Sequence, residues 1–129
     1  MSGDVIPEEC RQFLVQTIDT IAQWEALLLL RSEPERLWDV PTLAQQLYVE
    51  EGETAAVLKV LAQRRLLEAV KSDTSVAYRY QIADAQHAAC VDRLADLYRQ
   101  HLIPVTKIIH AKASDRASAF ANAFRLRKD

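Results

Sequence analysis

Glycine is nearly missing: the 129 residues hold two, Gly3 and Gly52, beside four prolines. Two glycines cannot build the loop that cradles phosphates, so a nucleotide site of that kind is excluded. So little Gly and Pro, with half of the residues apolar, also excludes a low-complexity or disordered chain. Cysteine is as scarce, with Cys10 and Cys90 alone, which rules out a disulfide scaffold. Two thiols that far apart, with no secretion signal, are expected to be reduced. The longest apolar run, "ALLLL" at 26–30, is too short to span a bilayer. The first ten residues, "MSGDVIPEEC", lack the basic region of a signal peptide. The expectation is a cytoplasmic chain with no membrane contact.

What is present is enough for one domain over 1–129, burying roughly two-thirds of the surface that its unfolded form exposes. The net charge of −2 hides an asymmetry. Residues 1–53 carry eleven acids against three bases, and residues 54–129 thirteen bases against seven acids. Such a split fits either an evenly solvated surface of uneven sign or two faces of opposite potential, one of which meets a charged partner.

Hydrophobic periodicity places the elements. Pro7, Glu8 and Glu9 suit a helix start, and Cys10, Leu14, Thr17, Ile18 and Ile21 recur at helical spacing. A second stripe runs through Trp24, Leu27, Leu28 and Leu30; one helix or two could cover 7–32 before Pro34 ends it. Asp39 is an N-cap for a helix over about 40–48, Gly52 marks a turn, and a helix follows over about 53–65. "LLEAVKSDTSVAYRYQI" then alternates on both sides of the turn-forming "SDTS", which predicts a β-hairpin with Tyr78, Tyr80 and Ile82 on one face. Asp84 caps a long helix carrying Val91, Leu94, Leu97, Tyr98, Val105, Ile108 and Ile109, kinked or interrupted at Pro104. Ser114 starts a last short helix with Ala117, Phe120, Ala121 and Phe124 on one stripe.

The predicted fold is therefore mainly α with a small β-hairpin. In "VPTLAQQLYV", "ETAAVLKVLAQRRLL" and "YRYQIA" the chain resembles the winged helix-turn-helix superfamily of bacterial regulators over about residues 23–83. The helix over 1–22 and the extension over 84–129 are similar to those of MarR-like and PadR-like regulators. The resemblance implies a transcriptional regulator, DNA as a partner, and a homodimer formed through the terminal helices. The expected dimer interface is Leu94, Leu97, Tyr98, Val105, Ile108 and Ile109. The competing arrangement has Pro104 fold the second half of the long helix back onto the molecule.

The chain departs from that family where DNA would be read. Glu50, Glu51 and Glu53 surround the turn, where carboxylates repel phosphates, and Ala55 and Ala56 cannot make bidentate contacts to bases. The expected DNA contacts are Thr54, Lys59, Arg64, Arg65, Lys71 and Arg79, giving weak, salt-dependent binding. The alternative is a winged helix repurposed for protein interaction, with Glu50, Glu51 and Glu53 as a patch for a basic partner. The glutamates also suit a helix N-terminus on structural grounds alone. Asp84, His87 and Cys90 share a helical face, but no second cluster completes a metal site, so no metal is expected. His101 and His110 are isolated, and no nucleophile sits in a recognisable motif. Neither catalysis nor a cofactor is expected. The basic-aromatic terminus "FANAFRLRKD" fits docking of its phenylalanines on the protein better than contact with nucleic acid or membrane.

Overall fold

The computed structural model describes residues 6–100 and 105–111. Helix α1 spans Glu8–Thr17 and α2 spans Ile21–Ser32. The break between them is made locally. Ile18 is extended, the Thr20 hydroxyl accepts from the Gln23 amide at 3.1 Å, and the Gln23 side chain accepts from the Asp19 amide at 2.6 Å. This reciprocal cap sits where the chain bends by 111° from the first helix to the second. No single described helix is long and apolar enough to cross a membrane.

A two-residue strand, β1 (Trp38–Asp39), leads into α3 (Val40–Leu47). Asp39 caps α3 by accepting from the Thr42 amide at 2.8 Å, and that bond holds its carboxyl below the ordinary value. Helix α4 (Glu51–Gln63) follows, and then the hairpin of β2 (Leu67–Lys71) and β3 (Val76–Tyr80). The antiparallel sheet has the order β1-β3-β2, with Trp38 opposite Tyr78 and Leu67 opposite Tyr80. Helix α5 (Ala85–Gln100) begins at Asp84, whose carboxylate accepts from the Gln86 and His87 amides at 2.8 and 3.2 Å. Residues 105–111 are helical again. Three helices, a two-stranded wing and flanking helices make this a winged helix-turn-helix fold.

Glycine scarcity shows in the backbone. The predicted turn at Gly52 is not there: Gly52 lies in the first turn of α4. The chain reverses instead at Tyr48, whose φ is 56°. The Val49 amide donates to the Ala44 carbonyl and the Tyr48 amide to the Gln45 carbonyl, a Schellman end to α3. Helix α4 ends in the same way: Leu66 donates to Leu61 and Arg65 to Ala62, with Arg65 at φ 65°. Both motifs favour glycine at the left-handed residue, and here tyrosine and arginine stand there.

The core lies between α1, α2, α4, the sheet and α5. Trp24, Leu27, Leu30, Leu43, Leu58, Leu61, Leu66, Val91 and Leu94 are wholly buried. Val105 and Ile109 join them, so residues 105–111 pack against the core, while Pro104 lies outside the described residues. Helix α5 is fastened to α2 by an Arg31–Asp92 ion pair of 2.9 Å and by Tyr98, whose hydroxyl donates to Glu25 at 2.6 Å. The Tyr98 ring meets Trp24 edge-on at 5.9 Å. Burial, and then Glu25, push Tyr98 up to about 12, so it keeps its proton to donate across the neutral range. The segment predicted to start at Ser114 lies outside the described residues.

Candidate nucleic-acid interface

In DNA-binding proteins with a helix-turn-helix, the outer face of the second helix of the pair is the surface that reaches the major groove. The solvent stripe of α4 runs along Gly52, Ala56, Lys59 and Gln63, with Glu51 and Glu53 exposed beside its start. The buried stripe is Thr54, Val57, Leu58 and Leu61, at spacings of three and four residues. Thr54 therefore belongs to the core. It is 0% exposed, its hydroxyl has no hydrogen-bond partner among the described residues, and it cannot touch a nucleic acid as expected from the sequence.

Of the basic residues expected to contact DNA, the structure brings two together. Lys59 from α4 and Lys71 from β2 line one groove of about 350 Å³, floored by Ala62, Ala69, Val76 and Tyr78. Gln63 lines it too. Sequence reasoning passed over Gln63, and the signal was available: it continues the stripe of Ala56 and Lys59. A glutamine there can pair with an adenine edge.

The other three basic residues lie elsewhere. Arg64 closes the C-terminal end of α4 onto the first helical hairpin, donating to the Thr17 carbonyl at 2.6 Å and to Asp19 at 2.9 Å. Its charge is shared with Asp19 while the side chain stays partly exposed. Arg79 is ion-paired to Glu68, its register partner across the wing. Arg65 is exposed but borders a separate groove with Arg64, Ala83, Asp84 and His87.

The acidic residues sit as the sequence suggested. Glu50 is the N-cap of α4 without a side-chain hydrogen bond, and Glu50, Glu51 and Glu53 are all exposed. Beside them stands Tyr48, 96% exposed at the left-handed turn and bordering a groove with Pro41, Gln45 and Glu51. No sequence signal pointed to Tyr48, because a bulky residue is not expected at positive φ.

The expected dimer residues also divide. Leu94, Val105 and Ile109 are at most 1% exposed within one chain, so the chain folded as described presents none of them to a second copy. Leu97, Tyr98 and Ile108 are half-buried. The residues considered for a metal are also placed: Asp84 caps α5, His87 lies against the Phe13 ring at 5.1 Å, and Cys90 faces Cys10.

No protein-family model matches the sequence, and no curated protein does. Solved structures do match the fold. A homodimeric winged helix-turn-helix DNA-binding domain from Mycobacterium bovis is 19% identical, with a TM-score of 0.54, covering 79% of this chain and 94% of that one. A MarR family protein from Bacillus stearothermophilus is 16% identical, with a TM-score of 0.52, covering 94% of this chain and 81% of the other. The PcaV transcriptional regulator from Streptomyces coelicolor is 18% identical, with a TM-score of 0.51 and coverage of 94% and 88%.

Proposed function

We propose that this chain is a winged-helix transcriptional regulator, homodimeric and without catalytic activity, that binds DNA weakly through the wing side of α4. The observation that carries the reading is the groove in which Lys59, Gln63 and Lys71 converge from two elements. Two lysines can neutralise phosphates there while Gln63 faces a base edge. The solved structures similar in fold include DNA-binding and regulatory proteins, which supports the same reading. Against strong affinity stand Glu51 and Glu53 at the other end of the helix, and the use of Arg64 and Arg79 in internal ion pairs.

Binding should be measurable at low salt and largely lost at physiological salt. With two phosphates neutralised per protomer, the slope of log affinity against log salt is roughly −2 per protomer. Lys71→Ala should reduce its magnitude by about 1, and replacing Glu50, Glu51 and Glu53 by glutamine should tighten binding to any sequence by roughly tenfold. Anisotropy titrations of a labelled duplex over a salt series measure all three. Nanomolar affinity that ignores salt would reject the reading.

A second reading rests on Tyr48. A nearly fully exposed tyrosine next to three carboxylates is a surface that suits a basic protein partner. In that case the triple glutamine variant loses the partner in a pull-down while DNA affinity in the wild type is negligible at every salt concentration.

A further inference from the structure

We propose that Cys10 and Cys90 form a modification site, a dithiol that a small hydroperoxide oxidises to an intramolecular disulfide joining α1 to α5. The two residues are 80 apart in the chain, yet their sulfurs lie 2.8 Å from one another across the packed faces of α1 and α5. Both are free thiols. A bonded pair needs the sulfurs at roughly 2.0 Å, so less than about 1 Å of approach is required, within reach of small side-chain rotations.

Access is provided. Cys10 and Cys90 both border a surface groove of about 310 Å³ between the two helices, lined also by Glu9, Phe13, His87 and Arg93. Cys10 and Cys90 themselves are 4% and 7% exposed. A small hydroperoxide fits that groove, whereas a protein oxidant cannot bring its own thiols to sulfurs so covered. Burial, and then Cys90, push the Cys10 thiol up to about 12, so oxidation is slow at neutral pH and quickens as pH rises. The chemistry balances in two steps. One sulfur, as its thiolate, attacks the terminal peroxide oxygen, the O–O bond breaks, and the alkoxide leaves and takes up the proton that the thiol released. The other sulfur then attacks the resulting sulfenic acid; its proton and the departing hydroxide leave as water, and the S–S bond forms. The two thiols lose two electrons, and the hydroperoxide is reduced to an alcohol and water.

The consequence follows from topology. The new bond closes a loop that contains α2, the helix-turn-helix and the wing, and it ties the two helices flanking that core. Cross-linking so long a loop restricts the unfolded chain, so oxidation should raise the melting temperature by on the order of ten degrees.

The test treats the full chain, folded, with tert-butyl hydroperoxide, followed by intact mass and unreduced peptide mapping. The expected product has lost two hydrogens, contains one cross-linked peptide pair holding Cys10 and Cys90, melts higher, and reverts with a reductant. Cys10→Ser and Cys90→Ser should each give a single sulfenic acid, trapped by dimedone, with no rise in melting temperature. Wild-type thiols that are still alkylated after a denaturing quench, under conditions where the unfolded chain oxidises, would overturn the proposal. So would a cross-link that joins two chains. The wild-type peptide map decides the matter even if a serine variant fails to fold.

Discussion

Thr54 shows how much one side chain's facing decides. It sits three residues before Val57 and four before Leu58 on the buried stripe of α4, and its hydroxyl is enclosed without a partner. A buried hydroxyl that has given up water without replacement lowers stability, and valine has nearly the same shape without the polar atom. Thr54→Val should therefore raise the unfolding free energy by about 1 kcal/mol, read from denaturant melts. The same variant should leave DNA affinity unchanged, because residue 54 is inside. A drop in affinity without a change in stability would restore Thr54 to the readout face. Polarity misled the sequence reading here: a threonine beside a glutamate-rich turn looks solvated, and only the phase of the helix shows that it belongs with the leucines. Lys59 and Lys71 were legible as exposed cations. That they share a groove was not, because their meeting depends on how the wing folds against α4. The ion pairs of Arg64 and Arg79 are illegible for a related reason, since Asp19 and Glu68 are 45 and 11 residues away.

The elements were legible where local chemistry announces them. Asp39 and Asp84 accept from amides at the starts of α3 and α5, and the alternating hairpin folds as read. The strand β1 was not foreseen: two residues carry no period, and Trp38–Asp39 is extended because it pairs with Tyr78 and Ala77. The sequence's signal for the turn between α3 and α4 is Gly52, whereas the left-handed residue is Tyr48. A side chain with a Cβ is disfavoured there, and this one is 96% exposed, so it recovers almost no packing in return. Tyr48→Gly should stabilise the fold by roughly 0.5–1 kcal/mol, the relief of the left-handed conformation exceeding the added freedom of the unfolded chain. Thermal and denaturant melts check the sign. Strain held at an exposed aromatic also points toward contact with a partner or with DNA. If Tyr48→Gly gains stability while weakening whichever ligand the protein binds, the tyrosine serves recognition; if it loses stability, the turn is less strained than its φ of 56° implies.

At the scale of the whole molecule, the question is what remains uncovered once the chain has folded on itself. The long apolar stripe read from the sequence is largely consumed internally: Leu94, Val105 and Ile109 are sealed in the core, and Tyr98 is spent on Trp24 and Glu25. Among the described residues of that stripe, Leu97 and Ile108 stay half-buried, and an edge built on them is what it would offer a second copy. A two-fold axis across that edge would pair each patch with its own copy, the simplest closed assembly. This separates two kinds of variant. Leu94→Glu places an unpaired carboxylate in the core, costing several kcal/mol, and should leave no cooperative melt at any protein concentration. Ile108→Glu puts its charge on the remaining edge and should leave each protomer folded but move the molecular mass, by sedimentation equilibrium at tens of micromolar, from dimer to the 14.6 kDa monomer. A wild type that sediments as a monomer would remove the dimer. Ile108→Glu that unfolds like Leu94→Glu would mean that this edge, too, is closed by the chain itself. Dimerisation through this edge would also double the lysine pairs presented to one duplex, so weak sites could act together. The dissociated variant should then show about half of the wild-type salt slope, because each phosphate contact contributes close to one unit of it.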